Sequence, residues 1–238
     1  MAIVTKDLNN CIYEDGIREI KSFIEEHNPN LFDHITVTSG GSEAIMHCYF
    51  NDTKQCLAVY LAVPNSSDSH TNFTVYAKGS GVTGERISDY SAPYSDRLSK
   101  IYSTSNGIMI TGAHNSLSSS DYRSSVIVSK EGDNGLCITL MSRDGNGTDH
   151  SVSKEGHVHW DSSIYIEHIV SDTSTFTNQL MIVTARKSKT MLIPIVFANG
   201  LVTNNLFRMV YNENPESETT FTLGGNRFVS NGVFALKD

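Results

Sequence analysis

At 238 residues, with 39% apolar and only 18% charged residues, the chain is long enough to bury roughly 70–75% of its extended-chain surface and too apolar to remain disordered. The formal net charge of −8 speaks against nucleic acid as a partner, because phosphate-backbone binders carry a basic stripe that releases counterions. Polarity comes mainly from Ser, Thr and Asn, as on the surface of a rigid β protein.

The start, Met1 to Asp7, lacks a basic region followed by an apolar one, and the longest apolar stretch, Met191 to Ala198, is too short to span a bilayer. The expectation is cytoplasmic synthesis without a signal peptide and without membrane insertion. Between Asp15 and His27, Ile17, Ile20, Phe23 and Ile24 recur at helical spacing, with Pro29 just beyond. This predicts one amphipathic helix of about three turns, laid over a sheet of its own chain rather than docked on a partner. Residues 1–30 thus form an N-terminal segment with a helix, and 31–238 an antiparallel β domain, with a composition break near 145–160 as its candidate subdivision.

From about residue 35 the chain falls into short apolar, β-branched runs broken by turn residues. Asn-Gly occurs at Asn106-Gly107, Asn134-Gly135, Asn146-Gly147, Asn199-Gly200 and Asn231-Gly232, and this dipeptide takes the positive φ angles of tight hairpins. Ile35 to Thr38, Ala44 to Phe50, Leu57 to Val63 and Phe73 to Ala77 read as a meander. Residues 79–100 read as a long polar loop, and His114 to Asp121 as a second, Ser-rich one. Hairpins follow at Lys100 to Thr104 with Ile108 to Thr111, and at Ser125 to Ser129 with Leu136 to Met141. The last third holds Ile164 to Val170, Leu180 to Ala185, Met191 to Ala198, Leu206 to Tyr211, Thr219 to Leu223 and a closing hairpin, Arg227 to Val229 with Val233 to Leu236. Pro194 marks an edge or a bulge, since proline cannot donate to a central ladder. The predicted fold is a mainly β, antiparallel β-sandwich or jelly-roll-like domain with one N-terminal amphipathic helix.

Cys11, Cys48, Cys56 and Cys137 form no Cys-x-x-Cys pair, so buried free thiols are the default. Cys48 and Cys56 flank the turn at Asn51 to Thr53, where a cross-strand disulfide is the alternative. Candidate site residues concentrate between Asp144 and His168. His157 and His159 share one face of an extended strand, with His150, Asp161 and His168 close in sequence. Such a pair is half of a transition-metal site, and across a threefold axis it would complete an all-imidazole one. In a chain of nine histidines the plainer use is exposed or singly bonded imidazoles.

Asp144, Asn146, Thr148 and Glu155 fall at positions 1, 3, 5 and 12 of a calcium-loop template. Asp149 stands where the template requires glycine, and the alternative is a polar hairpin loop built on Asx turns. Trp160 with Tyr165, and Tyr90 with Tyr94, form a candidate sugar-stacking platform, against the ordinary core or interface role of single aromatics. There is no Gly-x-Ser-x-Gly, and Glu167 is the only clear acid set among apolar neighbours, so neither a catalytic set nor a resident cofactor is expected.

In this Ser/Thr/Asn-rich β cadence, with few charges, one N-terminal helix and a closing stretch Phe221-Thr222-Leu223-Gly224-Gly225-Asn226-Arg227-Phe228, the chain resembles the structural proteins of tailed bacteriophages, of tail-fibre, baseplate or head-decoration type. The resemblance is one of style along most of the chain and transfers no site residues. It implies a non-enzymatic homo-oligomer that resides in the virion after cytoplasmic synthesis. Its partners would be other virion proteins, copies of itself and host surface glycan. The alternatives are a carbohydrate-binding or receptor-binding module, carried by Trp160, and a β-fold polysaccharide hydrolase.

Overall fold

The computed structural model describes residues 3–8, 13–40, 43–50, 54–62, 72–77, 97–113, 123–131, 136–141, 157–160, 165–168, 190–196, 202–211, 219–231 and 234–238. Within them lie one helix, α1 (Tyr13–His27), and sixteen strands in three antiparallel sheets. The largest sheet has seven strands in the order β1 (Val4–Asp7), β6 (Arg97–Thr104), β7 (Gly107–Ala113), β8 (Arg123–Lys130), β9 (Leu136–Met141), β10 (His157–Trp160) and β11 (Tyr165–His168). A four-stranded meander runs β2 (His34–Gly40), β3 (Glu43–Phe50), β4 (Lys54–Ala62), β5 (Asn72–Ala77). The five-stranded sheet has the order β12 (Thr190–Val196), β13 (Val202–Tyr211), β16 (Phe234–Lys237), β15 (Asn226–Ser230), β14 (Thr219–Leu223). Successive hairpins from β6 to β11 make the large sheet an up-and-down array, so the sandwich form of the expectation is the one present.

The seven-stranded sheet is the middle layer, because its side chains alternate between two cores. Ile101, Ile108, Ile110, Val126 and Val128 point to one face, where they meet Ile17, Ile20, Phe23 and Ile24 of α1 and Ala44, Met46 and Cys48 of β3. Their sequence neighbours Tyr102, Met109 and Ile127, together with Cys137 of β9, point to the other face, against Ile195, Leu206, Val229, Phe234 and Leu236 of the five-stranded sheet. This explains the unbroken runs Ile108-Met109-Ile110 and Val126-Ile127-Val128. A strand covered on both faces has no solvent side on which to place polar residues.

The helix is where its apolar spacing predicts, and Ile17, Ile20, Phe23 and Ile24 are all buried. Glu14 and Asp15 occupy its first turn and His27 its last, matching the helix dipole. Glu14 accepts from Arg18 at 2.6 Å, and Lys21 pairs with Glu25, both at i,i+4 on the solvent face. Asn28, next after the helix, donates its own N–H to Ile24 O at 2.7 Å. Its side-chain amide reaches Ser103 and the Gly107 carbonyl of the middle sheet. A strand that the sequence reading missed, β1, lies along the outer side of β6, with Lys6 opposite Ile101 on the helix face and paired with Glu19 of α1.

Several expectations change in detail. Cys48 is a buried free thiol, so no disulfide joins it to Cys56. A register shift between Cys48 and Tyr49 sets Leu57, not Cys56, opposite Cys48. The expected loop at 79–100 ends earlier, because Arg97 begins β6; residues 78–96, 114–122 and 180–185 lie outside the described residues. β9 and β10 are neighbours in one sheet although residues 142–156, also outside, separate them in sequence.

Gly107 has φ 157°, which L side chains rarely adopt, and a Cβ there would also meet Val128 O at 2.0 Å. The left-handed hairpin turn is Gly224-Gly225, at φ 59° and 80°, joining β14 to β15. Pro194 lies in the edge strand β12 beside a bulge, so both features expected of it occur.

Truncating Ile20 or Phe23 to Ala should lower the unfolding free energy by ~2–5 kcal/mol each, as large-to-small core changes do. Urea denaturation followed by circular dichroism measures this, and an unchanged midpoint in both variants would mean that α1 is not part of the core.

Candidate functional site

The residues singled out in the sequence fall on the β10–β11 ribbon that ends the middle sheet. Its register sets Trp160 opposite Tyr165, His159 opposite Ile166, Val158 opposite Glu167 and His157 opposite His168. The backbone therefore brings one of the two candidate histidines of β10, His157, beside His168 on β11, and the two candidate aromatics beside each other. The side chains of these residues lie outside the described part. So do Asp144, Asn146, Thr148, Asp149 and Glu155 of the calcium-loop template, together with His150, Asp161, Tyr90 and Tyr94. Among the described residues no group of three or more His, Cys, Asp or Glu side chains is arranged to hold a metal ion. Among them, too, no helix is long and apolar enough to cross a membrane.

The densest polar arrangement in the described structure is one that the sequence reading did not pick out. Glu131 follows β8 and is 3% exposed, the only acid in the buried polar set of the described residues. The alternation that turns Ile127 and Ser129 towards the five-stranded sheet carries Glu131 to the same face, where it meets the start of β13. Its Oε2 accepts the Asn204 N–H at 2.6 Å, and its Oε1 accepts the Leu206 N–H at 2.9 Å. The Asn205 N–H is shared between the two oxygens, at 3.2 and 3.1 Å. Ser129 Oγ donates to Oε1 at 2.6 Å, and Asn205 Nδ2 returns a bond to Lys130 O at 2.6 Å.

The bulge beside Pro194 is the reason these amides need a carboxylate. Among the described residues, Thr203 to Asn205 have no partner in the ladder to β12 or to β16. Ile195, opposite the extra residues of β13, gives its N–H to Thr203 Oγ1 at 2.9 Å. Three successive main-chain donors follow, running from the exposed Asn204 through the half-buried Asn205 to the buried Leu206, and in a buried place an unmade hydrogen bond costs ~1–3 kcal/mol. An ionised carboxylate offers enough lone pairs to accept from all of them and from Ser129. The site consumes its own charge, since every donor it meets belongs to the fold.

Beside this clamp the Cys137 thiol is buried, and burial first, then the Glu131 carboxylate, raise its pKa well above the ordinary value. The signal for the clamp was present in the sequence as the in-facing series Ile127, Ser129, Glu131 and the Asn204-Asn205 pair. Only the stacking of the two sheets makes it readable. Comparison of the chain with family models, curated proteins and solved structures found no match.

Glu131→Gln should destabilise the fold by at least ~1–3 kcal/mol, because the new amide group faces main-chain donors and leaves one unsatisfied. Ser129→Ala, which removes one donor from the carboxylate, should cost less, ~0.5–1.5 kcal/mol. Denaturation midpoints test the order, and equal midpoints in all three proteins would remove the clamp from the account of stability.

Cys137 holds its proton more tightly folded than unfolded. Its contribution to stability is therefore full below the unfolded thiol pKa and is lost as pH rises through the folded one. Peptide mapping after iodoacetamide treatment of the native protein at mildly alkaline pH should find Cys137 unmodified, and modified once the chain is unfolded. Rapid native labelling would overturn this.

Proposed function

We propose that the chain is a non-enzymatic structural protein of a tailed-bacteriophage particle, in the tail, baseplate or head decoration, working as a homo-oligomer among other virion proteins. The observation that carries this reading is the triple-layer body. A middle sheet packed on both faces, with its one buried acid among the described residues spent on main-chain donors, is built for rigidity rather than for exchange of protons or ligands. Virion residence and a role in assembly also follow from the resemblance in sequence style. Neutral polar β surfaces suit large protein contacts, where apolar and aromatic patches rather than charge supply the affinity.

Size-exclusion chromatography with light scattering should give a mass of two or more chains. A strict monomer that also binds no virion protein would overturn the proposal.

A further inference from the structure

Among the described residues the two longest edge strands are β2 and β12, seven residues apiece. β12 is interrupted by Pro194 and a register shift, devices that discourage a further strand from adding to an edge. β2 has neither. Its pairing with β3 runs from His34 opposite Tyr49 to Gly40 opposite Glu43 without a shift, and its sequence, His-Ile-Thr-Val-Thr-Ser-Gly, holds no Lys, Arg, Asp, Glu or Pro.

The hairpin fixes which main-chain groups of β2 point outwards. Gly40 and Glu43 flank a two-residue connection and so close the hairpin as a hydrogen-bonded pair. The groups of His34, Thr36, Thr38 and Gly40 therefore point to β3, and those of Ile35, Val37 and Ser39 point away from it. Among the described residues no strand and no other main-chain group meets that outer row. The side chains of Ile35, Val37 and Ser39 turn to the helix side of the sheet, where they stand opposite the buried Cys48, Met46 and Ala44. Yet Ile35 and Val37 are only half-buried and Ser39 is exposed. The core thus runs short of cover along the same edge at which the ladder ends.

We propose that β2 docks on β2 of a second copy of the chain, the two strands running antiparallel about a two-fold axis at Val37. The strand is complementary to itself in that register. Val37 faces its own counterpart and Ile35 faces Ser39, so the outward groups of one copy meet outward groups of the other as hydrogen-bonded pairs require. Between them Thr36 lies opposite Thr38, a favourable cross-strand pair, and His34 lies opposite Gly40. No like charges meet. Ile35 and Val37 of the two copies come together on one face and give each other the cover that each lacks alone. Beside His34 and Ile35, with Pro29 and Phe32, lies a hollow of about 80 Å3, and the residues that arrive next to it are Ser39 and Gly40, the two smallest of the strand. The product is one eight-stranded sheet continuous across both copies. This deepens the homo-oligomer reading given above and rests on it.

The test is light scattering after size exclusion over a dilution series of the full chain. Wild type should show the mass of two chains or a higher even number. Thr36→Lys/Thr38→Lys sets like charges opposite each other twice across the axis and should raise the dissociation constant on the order of tenfold or more. Thr36→Lys/Thr38→Glu sets each new cation opposite a new anion of the other copy and should associate again. Both lose the same exposed Thr38–His47 contact at 3.3 Å, so their difference isolates the partner strand. Val37→Pro, which removes an outward N–H but none of the bonds to β3, should also separate the copies. Melting temperatures show which variants are folded, and if Val37→Pro is not, the two threonine variants decide. A monomeric wild type, an oligomer unmoved by the folded Thr36→Lys/Thr38→Lys, or equal weakening by both threonine variants would overturn the proposal. The second outcome leaves the homo-oligomer reading standing, and a monomer removes that reading only if it also binds no virion protein.

Discussion

A single carboxylate reconciles two sheets that could not otherwise share a dry interface. Proline and the adjoining bulge take β13 out of register with β12, leaving a run of main-chain donors without ladder partners just where the five-stranded sheet meets the middle one. Those donors find their acceptor in the protein itself. Glu131 reaches across from the other sheet and accepts from Asn204, Asn205 and Leu206 together. The desolvation cost of burying an ion is offset only because its lone pairs meet donors so completely. Stacking and registry are thus coupled: β13 is placed by the same group that joins the layers.

Two further polar ties act between the same sheets. Asn231, 4% exposed, donates to Ser125 of β8 at 2.8 Å and accepts the Phe234 N–H at 2.8 Å, so it closes the β15–β16 hairpin while pinning it to the middle sheet. Asp238 does the same for the β6–β7 turn. Apolar area between sheets is non-directional and tolerates sliding, whereas hydrogen bonds at fixed positions do not. The five-stranded sheet also has a second apolar face, where Phe207 and Phe221 flank Phe228 at ring distances of 5.8 and 5.3 Å beside Met209 and Ala235.

Much of this was legible from local pattern. The helix followed from Ile17, Ile20, Phe23 and Ile24, and the meander and hairpins from alternating β-branched runs, because both signals lie within a few residues of one another. β1 escaped because four residues before a helix carry too little periodicity, and its partner lies almost a hundred residues away. The division of the strands among three sheets depends on which faces stack, which no local spacing encodes. Glu131 escaped for the same reason: an acid after an apolar strand ordinarily faces water, and only the bulge opposite it creates the demand it meets. The candidate residues of the β10–β11 ribbon were correctly read as extended, and the ladder brings His157 to His168 and Trp160 to Tyr165 across strands rather than along one.

The position of β1 bears on the order in which the chain acquires its shape. Val4 pairs with Ser103, and Asp7 with Lys100, so the first strand is completed only after the helix and the whole four-stranded meander have been passed through. Everything between is a closed loop of chain, and closing it costs entropy before the contact returns any enthalpy. During synthesis from the N-terminal side, the apolar face of α1 exists well before β6, β7 and β8 emerge to cover it. A topology of this kind folds slowly for its size. It gives the nascent helix and meander a period in which their own mutual packing is all that shields them.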